Sequence, residues 1–213
     1  MNTENIRVIT QNCIRIGSGA GVIYIDPFKL NEEPHDADYI LLTHDHYDHF
    51  SPEDIRKVSK AGTVMIVPEK MESQAGELTD AVDMICTAAP DVHKKVGELE
   101  FYTVAAYNRL KPFHPKKAGW IGYILNVDGV KIYIAGDTDM TPENEKVVCD
   151  IAMIPIGGTY TMNAGQAAEL VNKIRPTVAI PTHYGSVVGS PADADDFAKK
   201  VDTSVRVEIK MEY

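Results

Sequence analysis

The sequence predicts an α/β chain (α+β in the stricter sense) built from two β-sheets packed face to face with helices outside them. Three observations carry this. Strand patterns joined by turns are followed by strands that alternate with helical patterns, and the progression runs twice along the chain. Two helix starts of capping-box type, Ser51-Pro52-Glu53-Asp54 and Ser190-Pro191-Ala192-Asp193, stand one in each half. No linker, repeat or low-complexity run divides the 213 residues, so one domain spans 1–213.

The first pair of strands is Ile6–Ile16 and Val22–Ile25, antiparallel across Gly17-Ser18-Gly19-Ala20-Gly21. That glycine cluster reads as a turn and not as a phosphate loop, because strand rather than helix follows it. Asp26-Pro27 ends the second strand. Tyr39–Leu42 is a short buried strand, and proline at the first helical position after Ser51 begins a helix to about Lys60. Thr63–Val67 is a further buried strand and Glu69–Leu78 a helix. Asp83–Thr87 and Glu98–Ala106 are strands, with a turn near Lys95-Val96-Gly97.

Residues 107–117 are irregular. Trp120–Val127 and Val130–Ala135 flank Asp128-Gly129, a strong hairpin signal. A short helix is expected from Pro142 through Val148, a strand over Ile151–Ile156 and a helix from about Ala164 to Ile174. Val178–Pro181 is the last buried strand, followed by a helix to about Val201 and an alternating strand over Val205–Ile209.

Composition bounds the function. A hydrophobic share of 44% with 24% charged residues describes a chain able to bury a sizeable core. A net charge of −10 argues against general binding to nucleic acid or anionic membrane, since phosphate backbones demand a basic face. The first residues lack the basic and apolar regions of a signal peptide, and no run approaches about 18 apolar residues. Cys13, Cys86 and Cys149 form neither a disulfide framework nor a C-x-x-C pair, and a cytoplasmic location is the expectation.

The chemistry is concentrated in Thr43-His44-Asp45-His46-Tyr47-Asp48-His49. Side chains two apart on an extended segment point the same way, so His44 and His46 can serve one metal ion as a pair. Asp48 and His49 follow once the chain has begun to turn and can address a second ion. Imidazole with carboxylate suits zinc, manganese or iron and not calcium. Asp137, after Ala135-Gly136, and His183, after Ile180-Pro181-Thr182, stand at two other strand ends. Either alone reads as a turn residue or a core histidine; beside the first motif they become candidate ligands.

This set, with Asp26-Pro27 upstream and Gly136-Asp137-Thr138 and Thr182-His183 downstream, resembles the metallo-β-lactamase superfamily over nearly the whole chain, and most of all its stand-alone metal-dependent hydrolases. The resemblance implies a four-layer αββα sandwich with two divalent ions, zinc first and manganese or iron as alternatives, at one edge between the sheets. It implies His44 and His46 on the first ion, Asp48, His49 and His183 on the second, Asp137 bridging them, and Asp26 as a support beneath. Many relatives add a third histidine to the first ion. The matching stretch here, Val104-Ala105-Ala106-Tyr107-Asn108, has none. Asn108 or Tyr107 could stand in, His114 could reach in from the loop, or water could complete the shell, and one ion would then be held more loosely than the other.

Two cations sharing a carboxylate lower the pKa of a water between them and polarise a carbonyl or phosphoryl oxygen. Asp48 would be ligand and proton acceptor, and Asp48 and His183 are the candidate catalytic residues. Arg109, Lys111, Lys116 and Lys117 place four positive charges in nine residues, with His114 among them. This is either a solvated basic loop or an anion-binding rim. The loop Gly157–Asn163 reads likewise as an anion-receiving helix start or as plain capping by Thr161 or Asn163. Asn108, Arg109, His114 and Tyr184 are the candidate substrate contacts. The leading expectation is hydrolysis of a small, anionic ester, lactone or phosphodiester. A nuclease and a metal sensor without turnover are the alternatives; assembly as a homo-oligomer is left open by the sequence.

Overall fold

The computed structural model describes residues 2–212. Its first sheet has six strands in chain order: β1 (Ile6–Thr10), β2 (Cys13–Ser18), β3 (Gly21–Ile25), β4 (Ala37–Leu41), β5 (Ser59–Pro68) and β6 (Met84–Ala88). The second sheet holds β7 (His93–Val96), β8 (Leu99–Ala105), β9 (Ile121–Val127), β10 (Val130–Ile134), β11 (Ile151–Pro155), β12 (Val178–Thr182) and β13 (Arg206–Val207), in spatial order from β13 back to β7. Each sheet begins with antiparallel pairs and continues parallel, β3 to β6 in one and β10 to β13 in the other. Parallel neighbours require crossovers, which is where the helices lie.

Two apolar clusters make the four layers. One is enclosed by α1 (Pro52–Val58), the turn-like segment containing α2 (Glu72–Ala75), and the outer face of the first sheet, with Ile40, Leu42, Met65 and Val67 meeting Ile55, Val58, Met71 and Leu78. The other runs between the sheets and on to α3 (Ala164–Ile174) and α4 (Ala192–Lys200). In β4 the side chains of Tyr39 and Leu41 enter the inter-sheet core while Ile40 faces α1. That period of two explains why the strand reads as one continuous apolar run. No helix among the described residues is long and apolar enough to cross a membrane.

The helix signals act locally as expected at α1 and α3 and only in part at α4. Ser51 Oγ accepts from Asp54 N at 3.3 Å, with Pro52 opening α1. Asn163, not Thr161, caps α3 in a reciprocal box with Gln166. At α4 the Asp193 carboxylate accepts from Ser190 N at 2.6 Å, but no side chain caps the first turn.

Several boundaries differ from expectation. Residues 6–16 are two strands, broken where Gln11 takes φ 51 and the β1/β2 register shifts. Polar Thr10, Gln11 and Asn12 are buried there for tertiary reasons. Residues 69–78 form three short helical turns in place of one helix, since Gly76 follows so closely. The span 142–148 contains one 3-10 turn, Asn144–Lys146, and the last strand shrinks to Arg206–Val207. Strand β7, which runs into the expected turn at Lys95 and Val96, pairs with β8.

Strand direction places the site. β8, β10 and β12 run the same way, so their C-terminal ends share an edge of the second sheet. β1 and β4 end together on the first sheet. Tyr123 Oη donates to the Leu42 carbonyl at 2.6 Å, and Ile121 N to the Thr43 carbonyl at 3.2 Å, tying the end of β4 to the second sheet.

Candidate metal centre

Four chain segments converge at that edge. The motif after β4 turns sharply, with His49 N and Phe50 N both donating to the His46 carbonyl. His44 Nε2 lies 3.1 Å from His46 Nδ1, which brings the pair together just beyond the strand. His114 enters from the loop after β8, Asp137 follows β10, and His183 follows β12. His44, His49, His114, Asp137 and His183 are all at most 3% exposed.

Three groups place one donor atom each within 4.8 Å of one another: His44, His46 and His114; His44, His49 and Asp137; and Asp48, His49 and His183. Asp137 sits between the first and the last. Its Oδ2 is 3.2 Å from His114 Nε2 and 3.9 Å from His44 Nε2. Its Oδ1 is 3.2 Å from His183 Nε2 and 3.4 Å from His49 Nε2. Asp48 Oδ2 is 3.5 Å from both His49 Nε2 and His183 Nε2.

Among the alternatives for the missing histidine, the structure brings in His114. Tyr107 turns away, its Oη donating to Glu143 Oε2 at 2.7 Å. Asn108 supports His114: its main-chain N–H donates to the His114 carbonyl at 2.8 Å, and its Nδ2 donates to the Tyr160 carbonyl at 2.6 Å. Asn108 is buried, so it shapes the loop and offers substrate little surface. The signal for His114 was its residue type alone, since the loop pattern carries no periodicity.

Beneath the site, buried Asp26 collects four donors. Oδ2 accepts from Asn12 Nδ2, Thr43 Oγ1 and His49 Nδ1, each at 2.7 Å, and Oδ1 accepts from Thr43 N at 2.8 Å. Holding Nδ1–H this way directs His49 Nε2 toward Asp137 and Asp48. Gln11, which the sequence did not flag, is also fully buried against Asp48 and His183.

The electrostatics sort the protons. Burial opposes charge on Asp137, yet His183, His49 and His114 hold its carboxyl well below the usual range. Asp48 is lowered likewise against burial, by the neighbouring His183 and His49. Burial works against protonated His49 and His183, but the surrounding carboxylates together outweigh it, Asp137 foremost, joined by Asp26 and Asp48 at His49 and by Asp48 at His183; His183 is raised to about 9. Burial and the neighbouring His49 push His44 well down, and burial and His114 lower His46, so these two are neutral donors.

The donor set fits divalent cations. His49 Nε2, His114 Nε2 and Asp137 Oδ1 are buried without a hydrogen-bond partner. Each such group costs roughly 1–3 kcal/mol when left unmet, and a cation meets several at once. Backbone strain gathers here too: Gln11, Asp26, His114 and His183 all have φ between 45° and 57°. Non-glycine residues in that region persist where surrounding structure over-determines them, as at functional sites.

The expected anion rim is mostly spent on structure. Lys111 Nζ donates to Asp139 Oδ1 and, at 2.6 Å, to the Thr161 carbonyl. Lys116 pairs with Glu143 at 2.6 Å above the Tyr107 ring. Arg109 is exposed, and its main-chain N–H donates to Asp139 Oδ2. These pairs pin the 107–117 loop to the segment after β10. Tyr184, expected to contact substrate, is instead fully buried among the apolar side chains of the cluster that joins the sheets to α3 and α4.

Comparison with known proteins agrees with this architecture. Residues 5–183 match the model of the Beta-lactamase superfamily domain. A UPF0173 metal-dependent hydrolase of Pyrococcus furiosus is 32% identical over 206 residues, covering 90% of this chain and 89% of that protein. A crystal structure from Parabacteroides distasonis superposes with a TM-score of 0.80 at 28% identity, over 96% of this chain and 91% of the other. The metallo hydrolase Igni18 of Ignicoccus hospitalis shares the fold, with a TM-score of 0.77 at 20% identity over 97% and 94% of the two chains. The conjunction of two facing sheets, a donor cluster at their common edge and these matches establishes that the chain belongs to the metallo-β-lactamase superfamily.

Proposed function

We propose that this chain is a metal-dependent hydrolase holding two divalent cations, zinc before manganese or iron, and acting on a small ester, lactone or phosphodiester. The observation that carries the reading is the position of Asp137, with one oxygen toward His44 and His114 and the other toward His49 and His183. In this reading His44, His46 and His114 hold one ion, Asp48, His49 and His183 the other, and Asp137 serves both. Cations bound there acidify water and polarise the bond under attack.

The chain's own residues do the rest. Asp48, kept ionised by its histidine neighbours, takes the proton of the attacking water. His183 holds Asp48 in place from its Nε2 side. Asp26 keeps His49 in one tautomer. The net charge of −10 favours a small-molecule substrate over nucleic acid.

The test couples metal analysis to turnover. Wild type reconstituted with zinc or manganese is expected to hold about two ions per chain and to hydrolyse bis-p-nitrophenyl phosphate or a member of a lactone panel. A chelator should abolish that turnover, and Asp48→Ala should lose at least 10²-fold, the usual scale for a general base. His114→Ala should lose one ion. A protein that binds no metal would sink the reading.

A further inference from the structure

The turn between β1 and β2 buries a side chain to which none of these roles has been given. Gln11 is 0% exposed, in a stretch where Thr10 and Asn12 are also buried. A buried amide is costly unless hydrogen bonded, and Gln11 finds its partners inside the metal centre. Its Nε2 lies 2.9 Å from Asp48 Oδ2 and 2.9 Å from His183 Nε2, two of the three donor atoms of the Asp48, His49 and His183 group. Its main-chain carbonyl accepts the His183 N–H at 2.7 Å. Its Oε1 faces Val187 N at 3.5 Å, in the loop beyond His183. The next residue, Asn12, donates to Asp26, which holds His49. One two-residue turn thus reaches all three members of the group.

The conformation is one the chain adopts at a cost. Gln11 and His183 face each other with φ 51 and φ 57, a backbone region that non-glycine residues hold only under strain. A regular strand through residues 10–12 would avoid it, but would not turn the amide toward Asp48.

We infer that Gln11 is a positioning residue for the ion held by Asp48, His49 and His183, an inference that rests on the two-ion reading above. An ionised carboxylate has about four acceptor sites, so one amide bond to Asp48 Oδ2 stops the carboxylate rotating while leaving sites for a cation. The carbonyl of the same residue anchors the His183 backbone. Removing partners of this kind typically weakens metal binding about 10–100-fold.

Two variants test this. Gln11→Met keeps the length and removes the amide; Gln11→Asn retracts the amide by one methylene and tolerates the left-handed backbone. Metal-free wild type and variants are titrated with zinc against a chromophoric chelator, and with cobalt(II), whose visible absorption reports ligand geometry. Circular dichroism of the metal-free proteins identifies the folded variants, with Gln11→Asn guarding against failure of Gln11→Met. Two ions are expected in wild type; in the variants one is weakened about 10–100-fold, with the cobalt absorption of that site alone shifted. Unchanged affinities in a folded variant, or equal weakening of both ions, overturn the role of Gln11. Wild type that binds no ion overturns instead the two-ion reading.

Discussion

Asp26 Oδ2 and His49 Nδ1 form a fully buried pair at 2.7 Å. This contact settles which nitrogen of His49 faces the metal centre, because Nδ1 is consumed and Nε2 is left pointing at Asp137. Removing one partner of a buried pair strands the other, at a cost of about 3–5 kcal/mol. Asp26→Ala also strands the donors of Asn12 and Thr43. It is therefore expected to destabilise the protein by that order in urea unfolding and to weaken metal binding. Wild-type stability in the variant would show that the pair is dispensable.

The loop lysines should behave as anchors. Lys111 and Lys116 are tied to Asp139 and Glu143, so Lys111→Met and Lys116→Met should leave the ratio of kcat/KM for anionic over neutral esters within about 2-fold. Exposed Arg109 and Lys117 are the loop cations not tied down in this way. Arg109→Ala should lower that ratio if the natural substrate is anionic. A selective loss with Lys111→Met would restore the anion-rim reading.

The same loop carries a pH dependence. Lys116, with Tyr107, holds the Glu143 carboxyl at about 2, below the value near 4.3 of an unperturbed glutamate. A depressed folded-state value means the contribution is fully present above about pH 4.3 and is lost as the pH falls toward 2. Trp120, the single tryptophan, has its ring 5.3 Å from that of His114 in this loop. Its fluorescence should therefore change over pH 4.3 to 2 in wild type beyond any change in Glu143→Gln. Superimposable curves for the two proteins would show that the ion pair does not hold the loop.

Gly157 tests the tolerance behind His183. A Cβ there would collide with the His183 carbonyl and come within 2.6 Å of Val188 Cγ2. The loop Gly157–Asn163 thus needs glycine for close approach, independently of any anion. Gly157→Ala is expected to cost about 1–3 kcal/mol and to loosen the ion proposed for His183. Calorimetry and metal titration read the two effects separately.

Much of the molecule was legible in the chain because it is written locally. The run His44 to His49 follows an apolar strand, so its delivery to a sheet edge needs only the strand's alternation and a turn. Asp128-Gly129 makes the β9–β10 hairpin through residues that accept positive φ. Ala164–Ile174 is helical within the expected limits because cap and periodicity agree. The strand-then-helix progression, repeated, determined the two sheets and their covering helices.

Other features depended on contacts between distant residues. His114 reaches the site from a loop with no periodic signal, pinned by ion pairs to residues 139–143 and turned inward at φ 55. Gln11 breaks a strand that its pattern would have continued, because the gain lies in Asp48 and His183, 37 and 172 residues away. Tyr184 could equally have faced the mouth or the core, and packing put it in the core. The sequence by itself determined the architecture and the donor types, since periodicity, caps and turns act over a few residues. Only the tertiary structure decided which donors meet and what holds them, because burying charge and amide groups is paid for by partners that the chain order does not name.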